Sequence, residues 1–156
     1  MVLLLFTNDF VTMSIATDRV SFSHKPDRWR VAELMRTAAA LAGVILTLSF
    51  TVFFVGREWL ELPLAQLQTL VFVMLVISGQ GTVYVVRERR HFWRSRPSAW
   101  LLAATAGDIA LVAYLAIDGV FMAPVSPALL AGLAAAVLAM LFALDFLKLR
   151  ILQRRP

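Results

Sequence analysis

The chain has 156 residues, contains no cysteine and is 60% hydrophobic, with a mean hydropathy of +0.79. Soluble domains contain about half apolar residues, so this composition excludes an ordinary soluble domain and favours a membrane protein. The absence of cysteine excludes a disulfide framework and a thiolate metal site. The net charge is +5, which in a soluble protein would raise the question of nucleic-acid binding.

Five apolar stretches follow one another along the chain. They lie at about residues 1–16, 37–55, 63–86, 97–117 and 127–147. A spanning helix needs about 20 apolar residues, and the last four stretches meet this length. As a helix the first stretch would be only about 24 Å long, which is short of the hydrocarbon thickness of a bilayer. It also does not fit a signal peptide, because it lacks the basic residues typical of one and contains Asp9. The sequence therefore predicts an all-α fold. It is a polytopic membrane helix bundle of about five transmembrane helices, the first one truncated, in a single transmembrane domain over 1–156.

Lysine and arginine are concentrated in alternate connections. Three segments carry five, five and four of these residues, and two others together carry only one, Arg57. The basic segments are 17–36, 87–96 and 148–156, and the others are 56–62 and 118–126. Because an excess of lysine and arginine marks the cytoplasmic side, the basic connections and the C-terminus are predicted to be cytoplasmic. The positive charge is thus a topology signal, and no nucleic-acid partner is predicted.

Small residues form rows on the last two predicted helices. The rows are Ala131, Ala135, Ala139 and Ala143, then Ala128, Gly132 and Ala136, and on the preceding helix the pairs Ala103–Gly107 and Ala106–Ala110. Small side chains let helices approach closely in lipid, so these rows are predicted to face the interior of the bundle.

Two acidic side chains, Asp9 and Asp108, are predicted near the middle of the membrane. A charged Asp there costs about 2.5–3.5 kcal/mol on insertion scales, so such residues are kept for ion pathways, proton relays or buried polar networks. Asp108 stands alone, with Thr105 as its polar neighbour, and is interpreted as a protonated or hydrogen-bonded packing residue. A secondary intramembrane polar site is the alternative. Asp145, three residues before Lys148, is interpreted as a surface pair.

Asp9 is the stronger functional candidate because of its surroundings. Asn8, Thr7, Thr12 and Ser14 place an amide and hydroxyl groups in the same segment. No lysine or arginine lies at mid-depth in any of the five stretches, so a charged Asp9 has no counter-ion there. Its partner is either outside this chain or unnecessary because Asp9 is protonated. A desolvated carboxyl of this kind is able to carry a proton near neutral pH.

The string NDFVTMSIATDRVSFSHKPDRW, residues 8–29, resembles the sixth transmembrane helix and the following cytoplasmic loop of P-type plasma-membrane proton ATPases. The matching elements are Asn8–Asp9 within the helix, Asp18–Arg19–Val20 after eight further residues, and Pro26–Asp27–Arg28–Trp29. The string FWRSRPSAW, residues 92–100, is similar to the connection before the ninth helix in some members. The spacing of these motifs makes the resemblance fairly specific, and they cover about a third of the chain.

The resemblance implies that the spans are helices six to ten of a ten-helix pump in the plasma membrane, and that the chain begins within helix six. It places proton binding at Asp9, with Asn8 beside it. The loop residues that it assigns to coupling with the phosphorylation domain are Asp18, Arg19, Asp27 and Trp29. The implied partners are protons, the lipid bilayer and the missing N-terminal half of the pump. That half would bind ATP and Mg²⁺, so this chain is predicted to hold no cofactor.

Two alternatives stay open. The sequence lacks the phosphorylation motif Asp-Lys-Thr-Gly-Thr, so the chain alone is predicted to hydrolyse no ATP, and a non-catalytic multispanning protein or fragment is one alternative. The other is a P-type pump for another cation, which would need several carboxylates or amides from neighbouring helices. This chain offers mainly Asn8, Asp9 and Asp108. His24 and His91 lie on predicted cytoplasmic loops without ligand spacing, so no metal site is predicted.

Overall fold

The computed structural model describes residues 9, 12, 13, 31–87, 91 and 96–153. These residues are helical apart from short connections, and no strand occurs among them. The helices are α1 (Val31–Phe54), α2 (Leu64–Arg87), α3 (Ala99–Asp118) and α4 (Pro127–Gln153), and a π-helical turn, Val55–Trp59, directly follows α1. The prediction of an all-α fold is therefore confirmed for the described part of the chain.

Each of the four helices is long enough and apolar enough to cross a membrane. They coincide with the last four predicted spans, except that α1 begins earlier, at Val31, and α4 continues to Gln153. The predicted polytopic membrane bundle is thus confirmed. The first predicted span, 1–16, lies outside the described residues apart from 9, 12 and 13, which are helical. That residues 1–156 form a single transmembrane domain stays a prediction.

Local sequence fixes the two ends of α3. The first N–H groups of a helix have no partner within it, and serine is a preferred residue to cap them. Here the Ser98 hydroxyl accepts a hydrogen bond from the Leu101 N–H at 3.1 Å. At the other end Gly119 adopts a left-handed conformation with φ of 73°, which glycine permits without a steric penalty. The 20 residues between these caps make a helix about 30 Å long, which matches the hydrocarbon thickness of a bilayer.

Helix α2 is the centre of the bundle, since it packs against α1, α3 and α4. Its largest interface is with α4. The buried side chains of α4 recur at intervals of three and four residues and form one stripe, and they are Leu130, Leu133, Val137, Met140, Leu141 and Leu144. A Cβ atom on Gly81 of α2 would lie 2.2 Å from Leu141 Cδ1, so the absence of a side chain at Gly81 allows this close approach.

The rows of small residues on α3 and α4 face away from the other described helices. Every residue of these rows is exposed in this chain. The prediction that they face the interior of the bundle is therefore wrong. The physical reason is that the larger side chains of the buried stripe of α4 already fill the space against α2, and the small residues occupy the other faces of the helices.

The predicted topology is testable by cysteine labelling, because the native chain has no cysteine. Ser126 is exposed in the connection between α3 and α4. Ser95, in the basic connection 87–96, lies outside the described residues. We expect a membrane-impermeant thiol reagent, added outside sealed cells, to label the Ser126→Cys protein and not the Ser95→Cys protein, because of the charge asymmetry. Labelling of the second protein alone would invert the assignment, and opening the cells should make both reactive.

Candidate functional site

Asp108 lies at the middle of α3 and is bound to a neighbouring helix. It is 8% exposed, and Gln80 of α2 is 1% exposed. Gln80 Nε2 donates a hydrogen bond to Asp108 Oδ2. The interpretation that Asp108 stands without an amide neighbour is therefore wrong, because the amide comes from a residue 28 positions away in the sequence. Whether Asp108 is a secondary polar site of the transport pathway stays a prediction.

A second polar contact lies one turn further along the same interface. The Tyr84 hydroxyl lies 3.0 Å from Thr105 Oγ1 and 3.4 Å from the carbonyl oxygen of Leu101. Since α2 and α3 run antiparallel, this contact and the Gln80–Asp108 bond follow each other along one face of each helix. Polar side chains within a membrane hydrogen-bond across helices, so the two contacts together join α2 to α3.

Asp145 and Lys148 form a buried ion pair near the end of α4. Their side chains are 0% and 5% exposed, and Lys148 Nζ lies 2.8 Å from Asp145 Oδ1. The interpretation of a surface pair is therefore wrong in its location, although the pairing itself occurs. The pair is buried because the end of the central helix α2 covers it. Lys148 Nζ also donates to the Val85 carbonyl oxygen at 2.9 Å.

The contact with Val85 has a clear electrostatic cause. Val85 lies in the last turn of α2. The carbonyl groups of that turn receive no hydrogen bond from an N–H of the same helix, and they form the negative end of the helix dipole. A lysine ammonium satisfies such a carbonyl and stabilises the helix end. Lys148 therefore does two things at once, since it neutralises Asp145 and caps α2.

His91 completes the cluster from the connection between α2 and α3. Its Nδ1 donates to Asp145 Oδ2 at 2.6 Å, a short bond typical of a charged acceptor. The His91 ring also packs edge-on against the Phe146 ring, with a centroid distance of 5.5 Å. We name Asp145, Lys148, His91 and the Val85 carbonyl the α4 charge cluster. It attaches the connection and the end of α2 to α4.

The other predicted site residues are described only in part. Asp9 is helical and exposed in this chain. Its described neighbours along the segment, Thr12 and Met13, are also helical and exposed. The remaining predicted residues lie outside the described residues, and they are Asn8, Asp18, Arg19, Asp27 and Trp29. The predicted proton-binding and coupling sites therefore stay predictions.

Sequence reasoning missed Gln80, Tyr84 and the burial of the α4 charge cluster. Gln80 carries no charge, so a search for intramembrane charges passes over it. A signal was nevertheless present, because Ser78, Gln80, Thr82 and Tyr84 interrupt an otherwise apolar helix within seven residues. Polar residues that face the interior of a membrane bundle need partners on other helices, and this run marks where α2 meets them.

The fold and these buried groups together define a polytopic integral membrane protein whose bundle encloses ionisable side chains. The chain belongs to the family of cation-transporting ATPases, of which it is the C-terminal region: residues 2–150 match the family described as "Cation transporting ATPase, C-terminus". The resemblance to the C-terminal membrane part of a P-type ATPase is thereby confirmed.

Individual relatives agree with this family. The chain is 36% identical over 127 residues to a protein described as a cation-transporting ATPase from Methanocaldococcus jannaschii, a match that covers 80% of this chain and 16% of the relative. It is 25% identical over 109 residues to the plasma membrane ATPase of Kluyveromyces lactis and 24% identical over 109 residues to plasma membrane ATPase 1 of Saccharomyces cerevisiae. Each of these two matches covers 67% of this chain and 12% of the relative. The chain thus spans a small part of the length of these relatives.

Proposed function

We propose that this chain is the membrane part of an ATP-driven pump that exports protons across the plasma membrane, with its C-terminus in the cytoplasm. The observation that carries the proposal is the carboxylate of Asp9, helical and exposed within an apolar segment of a chain that belongs to the cation-transporting ATPases. In this proposal ATP and Mg²⁺ act on the part of the pump that the relatives contain and this chain does not span.

Asp9 suits the task of a proton carrier because one carboxyl binds one proton and loses its charge when it does so. The neutral acid is the cheaper form inside the membrane, whereas the ionised form needs water or a cation beside it. The described residues provide no hydrogen-bond partner for Asp9, and its exposure leaves it accessible to helices of the remaining pump. Alternating contact with the two aqueous sides would then load and release the proton.

Two observations favour the proton as the transported cation. Two relatives are named plasma membrane ATPases, at 25% and 24% identity, and the motif around Asp9 resembles the proton pumps. A metal cation would need several oxygen ligands at once. The described amide of Gln80 is instead directed at Asp108 and binds it. A pump for another cation is the second candidate, favoured by the more similar archaeal relative, whose description leaves the cation open.

Transport by a reconstituted pump separates the two candidates. The chain is joined to the N-terminal part of the M. jannaschii relative, and the chimera is placed in sealed vesicles that contain a pH-sensitive dye. We expect ATP and Mg²⁺ to acidify the vesicles in buffers that contain no Na⁺ or K⁺. ATP hydrolysis and transport that begin only when one of these cations is added would favour the second candidate. The whole archaeal relative serves as the positive control for assembly.

The same chimera tests whether Asp108 carries the transported proton. We expect Asp108→Asn to retain more than about half of the wild-type rate, because the proposal places the transported proton at Asp9. Asparagine keeps the size of the side chain and can both accept a hydrogen bond from Gln80 and donate one to it. Initial rates of vesicle acidification, normalised to inserted protein, provide the measurement. Complete loss of transport by a normally inserted variant would place Asp108 in the pathway.

A further inference from the structure

Phe121, in the connection between α3 and α4, combines a strained backbone with an exposed side chain. Its φ is 66°, in the left-handed region that bulky residues rarely adopt. It is 93% exposed, more than any other large apolar residue that the structure describes. Strain of this kind persists only where the surrounding structure holds it, and it is concentrated at sites that carry a function. A ring that packs so little against this chain is therefore a candidate for a contact outside it.

Two side chains of α2 hold the connection, residues 119–126, against the bundle. Gln66 Nε2 donates a hydrogen bond to the carbonyl oxygen of Pro124 at 3.0 Å. Thr69 Oγ1 donates one to the carbonyl oxygen of Ala123, also at 3.0 Å, and Thr69 is only 3% exposed. The segment that follows Phe121 is thus fixed to the central helix of the bundle.

The end of α3 holds the same connection through its backbone. The N–H of Val120 donates to the Leu115 carbonyl oxygen at 3.0 Å, and the N–H of Val125 donates to the Ala116 carbonyl oxygen at 2.9 Å. Protein groups therefore satisfy four backbone groups on the two sides of Phe121. In lipid every backbone polar group has to be satisfied within the protein. These four bonds suit the connection to the edge of the hydrocarbon, where water is scarce.

The position of the connection along the bundle places it at that edge. Helix α3 is about 30 Å long, which is the hydrocarbon thickness, and residue 119 directly follows its last residue. Residues 119–126 include no charged side chain. Trp59, which is 83% exposed, ends the π-helical turn at the same end of the bundle. Aromatic rings are typical of this level, where they lie between headgroups and acyl chains.

We propose that Phe121 is a lipid anchor, whose ring inserts between the phospholipid headgroups and acyl chains of the leaflet on this side of the membrane. The hydrogen bonds of the connection hold the backbone in the conformation that presents the ring. Burial of the ring in the acyl chains provides the apolar contact that this chain does not give it. The anchor does not depend on transport, so it stands or falls independently of the role proposed for Asp9.

Spin labelling measures the depth of this position directly, since oxygen concentrates among acyl chains and a water-soluble nickel complex is excluded from them. The native chain has no cysteine, so Phe121→Cys in the full chain carries a single nitroxide. In phosphatidylcholine vesicles we expect this nitroxide to collide more often with oxygen than with the nickel complex. The matched control is Ser126→Cys, an exposed polar site of the same connection, which should favour the nickel complex.

Two results would overturn the anchor. A nitroxide at position 121 that favours the nickel complex as strongly as the one at position 126 would lie in water. A nitroxide at position 121 that meets neither reagent, once the chain is joined to the N-terminal part of the archaeal relative, would be covered by protein instead of lipid.

A second variant separates the ring from the backbone conformation. Glycine adopts a positive φ without a steric penalty, so we expect Phe121→Gly to unfold in detergent micelles at or above the wild-type temperature. A clear decrease would show that the ring packs against the protein and would overturn the anchor. In vesicles, Phe121→Gly should make the nitroxide at position 126 more accessible to the nickel complex, whereas Phe121→Trp should leave it unchanged. Equal accessibility in both variants would show that the ring does not hold the connection in the membrane.

Discussion

Replacing Asp9 by asparagine lowers proton transport by about 100-fold or more, while the protein still inserts and assembles. Asparagine keeps the shape of the side chain and its hydrogen-bonding capacity, but it cannot bind and release a proton. Loss of a positioned proton-transfer group typically slows a reaction by this order of magnitude. Assembly should survive because a neutral amide costs less inside a membrane than a carboxylate. The measurement is ATP-driven acidification of vesicles by the chimera described above.

Two companion variants make this result specific. Asp9→Glu keeps the carboxyl and displaces it by one methylene, so we expect residual transport with an altered pH profile. Asp118→Asn removes an exposed carboxylate outside the proposed pathway and should transport at the wild-type rate. Near-normal acidification by Asp9→Asn would contradict the proposal. It would move the proton site to the part of the pump that this chain does not span.

Replacing Lys148 by methionine lowers the free energy of unfolding by about 3–5 kcal/mol, the usual cost of removing one partner from a buried ion pair. Lys148 is 5% exposed, and its ammonium binds Asp145 at 2.8 Å and the Val85 carbonyl at 2.9 Å. Methionine fills a similar volume but leaves both acceptors without this donor. Thermal unfolding of the purified chain in lipid–detergent micelles, followed by circular dichroism, measures the loss.

The interpretation depends on comparison with a neighbouring charge and with a double variant. Arg150 lies on the same helix and is exposed, so Arg150→Met should change stability by no more than about 0.5 kcal/mol. Combining Lys148→Met with Asp145→Leu removes both charges, and buried pairs replaced in this way often lose little stability. We therefore expect the double variant to be more stable than Lys148→Met alone. Equal stability of the Lys148→Met and Arg150→Met proteins would show that the α4 charge cluster contributes nothing.

The helices were predictable from the sequence because a spanning helix needs only length and hydropathy. Four predicted spans coincide with α1 to α4, and both properties can be counted along the chain. Helix ends were predicted less well: α4 continues to Gln153, past the predicted end at residue 147, and Asp145 and Lys148 neutralise each other inside the bundle. Because both residues are charged, they lower the local hydropathy, and a prediction from hydropathy ends the span near them.

The direction in which each helix faces was not predictable in the same way. Small residues favour close packing, yet those of α4 are exposed and Gly81 of α2 provides the close approach instead. The polar partners were also hidden, since Gln80 and Asp108 are 28 residues apart and His91 and Asp145 are 54 apart. Such pairs depend on which helices are neighbours, and a single sequence contains no direct record of that arrangement.

The central position of α2 has a consequence for the order in which the protein is made. Helix α1 leaves the ribosome before its neighbours α2 and α4 exist, so its apolar side chains first meet lipid and the translocation machinery rather than the rest of this chain. Helix α4 is synthesised last and carries Asp145 and Lys148, whose partners Val85 in α2 and His91 in the following connection have already been synthesised. We therefore expect a ribosome stalled before residue 127 to hold a loosely associated, protease-sensitive intermediate. Release of the last helix should convert it into a resistant one.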